Sequence, residues 1–161
     1  MNIKIPHSII RAAGLGLIAG MRTNYAPAVA SHVYSRHPTP NLDGSPLIFM
    51  RSITTSKVLK VMAAGELVAD KLPNTPDRIK PVPVAGRLLS GILVGATVYE
   101  ADGKKPLIGA IIGGSAAVAS TFGMFFLRKA LKNSTGLPNW VLGIMEDSLV
   151  IGAGSVIAKD L

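Results

Sequence analysis

Cysteine is absent from the 161 residues. That excludes disulfides, thiolate metal sites and a cysteine nucleophile, and it leaves the redox compartment undetermined. Charge is scarce as well: 16% of residues are charged, against about 25% in an ordinary globular domain. Acids are scarcer still, nine Asp and Glu against seventeen Lys and Arg, which gives a net charge of +8. Aromatic residues are only 5%, and the basic residues do not cluster with them, so a nucleic-acid surface is not indicated. The three histidines, His7, His32 and His37, lie in or beside the first apolar segment without the spacing of a metal site. The glycines of Gly109–Gly114 belong to no strand–turn–helix unit with a following acid, which argues against a nucleotide-binding loop.

What is present is apolar. Such residues make up 48% of the chain, mean hydropathy is +0.41, and glycine occurs 17 times, a composition that suits a protein solvated by lipid. The length fits one domain, residues 1–161. Five hydrophobic segments stand at about 9–35, 57–72, 84–100, 106–127 and 138–158, and they predict an all-α, polytopic integral membrane bundle. The strongest is Pro106–Leu127, 22 residues without a charge, or about 33 Å of helix against a hydrocarbon core of about 30 Å. The first has the form of a signal peptide too, with basic flanks and small-residue triplets around Ala28. The hydrophobic segments that follow favour its retention as a span. Within it, Gly16 and Gly20 form a GxxxG that permits close helix approach.

Polar residues interrupt this oily background in few places. Arg22, Thr23 and Asn24 precede Pro27 inside the first segment, predicting a broken or kinked helix between Met21 and Pro27. Glu66 and Asp70 are four residues apart, one face of a helix that Pro73 and Pro76 then stop. Arg87 stands near the start of the third segment, and Glu146 and Asp147 near the centre of the last. Carboxylates at membrane depth are costly, and arginines compensate them when the spans converge on one buried cluster. Arg22, Thr23, Asn24, Glu66, Asp70, Arg87, Glu146 and Asp147 are therefore the expected ligand-binding or ion-pair cluster. Residues 36–56 read as a loop, with a short interfacial turn over Pro46–Met50. The first two segments, Arg-bearing and then acidic, echo the last two, which suggests an internal two-helix repeat.

These motifs resemble a known family. Gly20-Met21-Arg22-Thr23 with Pro27-Ala28, the run from Gly65 to Pro73 with Pro76, Arg78 and Pro81, Gly86-Arg87, and Glu146-Asp147 are similar to small bacterial multi-pass membrane proteins grouped as domain of unknown function 4126. The resemblance covers nearly the whole chain and implies a membrane location and an all-helical fold. It implies no activity, so function has to come from the residues.

Two functions compete. The first is a transporter or channel for a small ion or polar solute, in which the cluster lines a polar cavity. The second is a structural or assembly protein, in which the cluster fixes helix packing and oligomer state. A membrane enzyme is the weaker alternative, and no cofactor or metal is indicated. The partners expected are the bilayer, anionic lipid headgroups and further copies of the chain, in a homodimer or higher homo-oligomer at the cytoplasmic membrane. Nine Lys and Arg against seven on the two sides of the five segments give a slight bias toward an N-inside, C-outside arrangement.

Overall fold

The structure is a computed structural model that describes residues 6–69, 80–136 and 138–161. It contains six α-helices, α1 (His7–Met21), α2 (Tyr25–Arg36), α3 (Ile53–Ala69), α4 (Pro81–Ala101), α5 (Pro106–Thr135) and α6 (Asn139–Asp160). Two 3₁₀ turns, Pro40–Leu42 and Pro46–Arg51, join α2 to α3, and there is no strand among the described residues. Pro46–Arg51 is the short turn expected over Pro46–Met50.

Helix boundaries follow local chemistry. Pro81 and Pro106 occupy the first turns of α4 and α5, where a missing N–H costs nothing. α5 runs eight residues past the expected end at Leu127 and stops at Gly136, whose φ of +66° a side chain would resist. Its 30 residues span about 45 Å, more than a hydrocarbon core, so its basic last turns extend beyond the uncharged stretch. α3 begins four residues before the expected position 57, and Asp70 and the two prolines expected to stop it lie outside the described residues.

The centre of the bundle is α5 held between α1 and α4 by backbone-to-backbone contact. A Cβ at Gly16 or Gly91 would run into the Gly113 carbonyl, one at Gly20 into that of Ala117, and one at Gly95 into that of Gly109. The GxxxG of α1 thus does permit a close approach, and its partner is the small-residue stripe of α5. Around this seam Leu15, Ile18, Val94, Val98 and Ala117 are fully or almost fully buried. The outer faces are apolar as well, with Leu107, Ile111, Phe126, Met145 and Val156 exposed. α4, α5 and α6 are each long and apolar enough to cross a membrane. Together, oily outer faces and long apolar helices fit a membrane protein.

The first apolar segment is not one straight path. α1 starts beside the end of α4, where Lys104 Nζ donates to Ser8 Oγ at 2.6 Å and Arg11 pairs with Asp102 at 3.5 Å. It reaches α5 at Thr121, whose hydroxyl donates to the Gly20 carbonyl at 3.2 Å. After the break at residues 22–24, α2 turns back. Just beyond its end, Thr39 and Asn41 donate to the Ala101 carbonyl at 3.3 and 2.9 Å, level with the start of α1. The interruption is therefore a reversal, and α1 and α2 form a hairpin with both feet at the Lys104 end of the bundle. α3 then runs antiparallel to α2, with Lys60 beside His32 and Glu66 beside Asn24. α6 returns along α1 from Asp147, opposite Arg22, to Ile157, opposite Gly14. Both ends of the described chain accordingly lie at the Lys104 end, which corrects the expectation that the termini face opposite ways. The echo between the first and last helix pairs is one of charge placement, since α5 continues unbroken where α1 and α2 reverse.

Candidate functional site

The tip of the hairpin is built from four other helices. α1 ends at Met21, Arg22 is extended (φ −137°, ψ 111°), and its N–H still reaches the Ile18 carbonyl at 2.8 Å. Two residues later Asn24 caps α2, its carbonyl accepting from Ala28 N–H at 3.1 Å, with Pro27 inside the first turn where it is tolerated. A reversal of this kind leaves N–H groups without intrahelical partners. Glu66 of α3 takes them: Oε1 accepts from Thr23 N–H at 2.7 Å, and Oε2 from Asn24 N–H at 2.8 Å and Asn24 Nδ2 at 3.2 Å. A carboxylate at the N-terminus of α2 also meets the positive end of the helix dipole. From α4, Ser90 Oγ donates to the Thr23 carbonyl at 2.5 Å, and from α5, Thr121 donates to Gly20 as above.

Arg22 is held from the far side. Its Nε and Nη2 donate to Asp147 Oδ1 of α6 at 2.9 and 2.5 Å, with side-chain exposures of 3% and 13%. An ion pair so withdrawn from water is stabilising only while both partners are present. Tyr25 packs its ring on Gly154 of α6, where a Cβ would lie 2.6 Å from the ring. The tip sits fifteen residues, about 22 Å, along α5, some two thirds of the way across its uncharged stretch.

The expected site residues therefore divide. Arg22, Thr23, Asn24, Glu66 and Asp147 meet at the tip. Arg87 is buried at 5% exposure on α4, one turn before Ser90 and on the same face. Glu146 is buried too, but a helix turns about 100° per residue, so it points away from its neighbour Asp147. It faces Arg128 of α5, Oε2 to Nη2 3.8 Å. Asp70 lies outside the described residues. Charge compensation within the cluster predicts an arginine beside Glu66, whereas the structure shows it on the backbone N–H groups of Thr23 and Asn24. The expected cluster missed Ser90, Thr121 and Arg128, of which only Arg128 left a sequence signal, a cation within helical reach of an apolar run. Among the described residues no three His, Asp or Glu side chains are grouped as a metal site would need.

The long apolar helices, with a buried arginine and part-buried carboxylates at the tip of a helical hairpin, define the class, a helical membrane protein with an internal charge cluster. Within that class, the family described as a domain of unknown function (DUF4126) matches residues 9–159, and the chain belongs to it. No curated protein and no solved structure matches the chain.

Proposed function

We propose that the chain is a small membrane channel or transporter whose site is the hairpin tip, and that the solute is a small anion. The observation that carries this is the carboxylate of Glu66 lying across the N–H groups of Thr23 and Asn24. Irregular backbone at membrane depth persists where it is buried in protein or lines a wet cavity, and broken helices of this kind form transporter sites. The N-terminus of a half-helix suits negative charge, and here a residue of the chain itself supplies it. When Glu66 swings away from these N–H groups it leaves them open, so that an anion can take them. Asp147 holds Arg22 throughout and keeps the tip in register while Glu66 leaves.

The test is anion efflux from vesicles containing the purified protein. Wild type should conduct chloride or nitrate faster than empty vesicles do. Glu66→Gln, which removes the competing charge, should conduct faster still. Efflux no faster than from empty vesicles in both proteins rules the reading out. One observation favours a structural role instead: Arg22 and Asp147 close on each other with little solvent access. In that case Glu66→Gln lowers the melting temperature and produces no flux.

A further inference from the structure

Between α2 and α3, on the side away from the central seam, runs an open groove of about 320 Å³. Its walls are Tyr25, Ala28 and Val29 from α2 and Ala63, Ala64 and Leu67 from α3, all apolar apart from the tyrosine hydroxyl, and three of the six are alanines that leave the space open. The volume is in the range of small-molecule sites, about 300–1,000 Å³. The groove starts beside the tip and ends in cations. His32 and Lys60 line that end, with Lys60 Nζ 2.7 Å from His32 Nδ1, and Arg36 follows one turn later on α2. With Nδ1 accepting from the ammonium, the imidazole carries its proton on Nε2, and Lys60 retains two further N–H donors. The neighbouring ion pair, Asp43 with Arg51, already uses the one acid in the connecting loop.

Position adds to chemistry. His32 is four residues, about 6 Å, from the end of α2, which lies level with Ala101 and the charged turn at Lys104 and Lys105. In a bilayer that is headgroup depth, where a lysine extends its ammonium toward water along an apolar stem. Ile48, Phe49 and Ile53 are exposed beside it, next to the basic Arg51, as in a segment resting on the membrane surface. An apolar channel leading inward from a cationic mouth at that depth matches one molecule in shape and charge.

We infer that the α2–α3 groove binds one acidic phospholipid, its phosphate on Lys60 and His32 and an acyl chain between the two helices. The site is separate from the hairpin tip, and it stands whether or not the chain conducts anions. A Lys or Arg near an anionic headgroup attracts it, so preference for acidic over zwitterionic lipid should depend on Lys60.

The experiment is native mass spectrometry of the whole chain in detergent micelles, offered equal amounts of phosphatidylglycerol and phosphatidylcholine with identical acyl chains. Wild type should retain one phosphatidylglycerol per chain, favoured about tenfold. Lys60→Glu should bring the two lipids near parity. Lys129→Glu, on the last turns of α5 at the other end of the bundle, should keep the wild-type preference. Ala64→Trp, which fills the groove without touching a cation, should lose both lipids while melting as wild type does in phosphatidylcholine alone. Parity in wild type, an unchanged preference in Lys60→Glu, or lipid-free dimers that Ala64→Trp disrupts would each overturn the inference. The last would give the groove to a second copy of the chain.

Discussion

The seam between α1, α4 and α5 and the contacts of the hairpin tip hold the same bundle together by opposite means. At the seam, glycines bring backbones within van der Waals distance, and there is almost no side chain to adjust. At the tip, six helices meet through single polar atoms: the α1–α2 turn takes a carboxylate from α3, hydroxyls from α4 and α5, and a second carboxylate from α6. The first arrangement has one solution, since any added atom separates the helices. The second has alternatives, since a carboxylate can change partners and a hydroxyl can rotate. If something in this molecule moves, the tip is where the chemistry allows it.

The comparison can be broken most severely at the seam. Gly113→Leu places a side chain where the carbonyl of Gly91 already sits and opposite Gly16, so it should abolish the folded protein, scored by gel filtration in detergent. Folded, monodisperse material would show that the helices are not in backbone contact. Arg22→Ala comes next. It leaves Asp147, largely withdrawn from water, without its cation, for an expected loss of about 3–5 kcal/mol, and Arg22→Ala with Asp147→Ala should recover part of it. Additive losses in that cycle would mean the pair is not coupled.

Smaller effects sharpen the contrast. Arg128→Ala removes a cation that is 27% exposed and 3.8 Å from Glu146, so its cost in melting temperature should be well below that of Arg22→Ala. An equal loss would make the α5–α6 pair a second anchor of the fold. The reversal of α1 into α2 changes no energy but predicts sidedness. Cysteines at His37 and Lys105 should be labelled from one side of a sealed vesicle, and a cysteine at Lys132 from the other. Labelling of His37 and Lys105 from opposite sides would restore a straight first span.

Much of this was legible in the residues. The long uncharged run of α5, the 22-residue α6 and the interruption before Pro27 are all local patterns, and local patterns survive into the fold. The direction taken after the break was not legible. A run of apolar residues has length but no heading, and Ala12–Ser35 is long enough to read as a crossing. Glu66 was recognisable as an acid of the cluster but its partners were not, because backbone N–H groups become available only once the chain has turned. The expected end at Leu127 stops short of Arg128 because 22 uncharged residues already match a bilayer. Continuing to Thr135 carries Arg128 alongside Glu146 instead.

The claim that the tip is a site, and not only a joint, is tested most directly by water access. With no native cysteine, Thr23→Cys gives a single thiol at the tip. Its rate of reaction with a small charged methanethiosulfonate can be followed in sealed vesicles, in the wild-type and Glu66→Gln backgrounds. Labelling should be slow with Glu66 in place and fast once Glu66 is Gln. A thiol that stays unreactive in both backgrounds, in a protein that remains folded, would contradict it and leave the charge cluster as a fastener between helices.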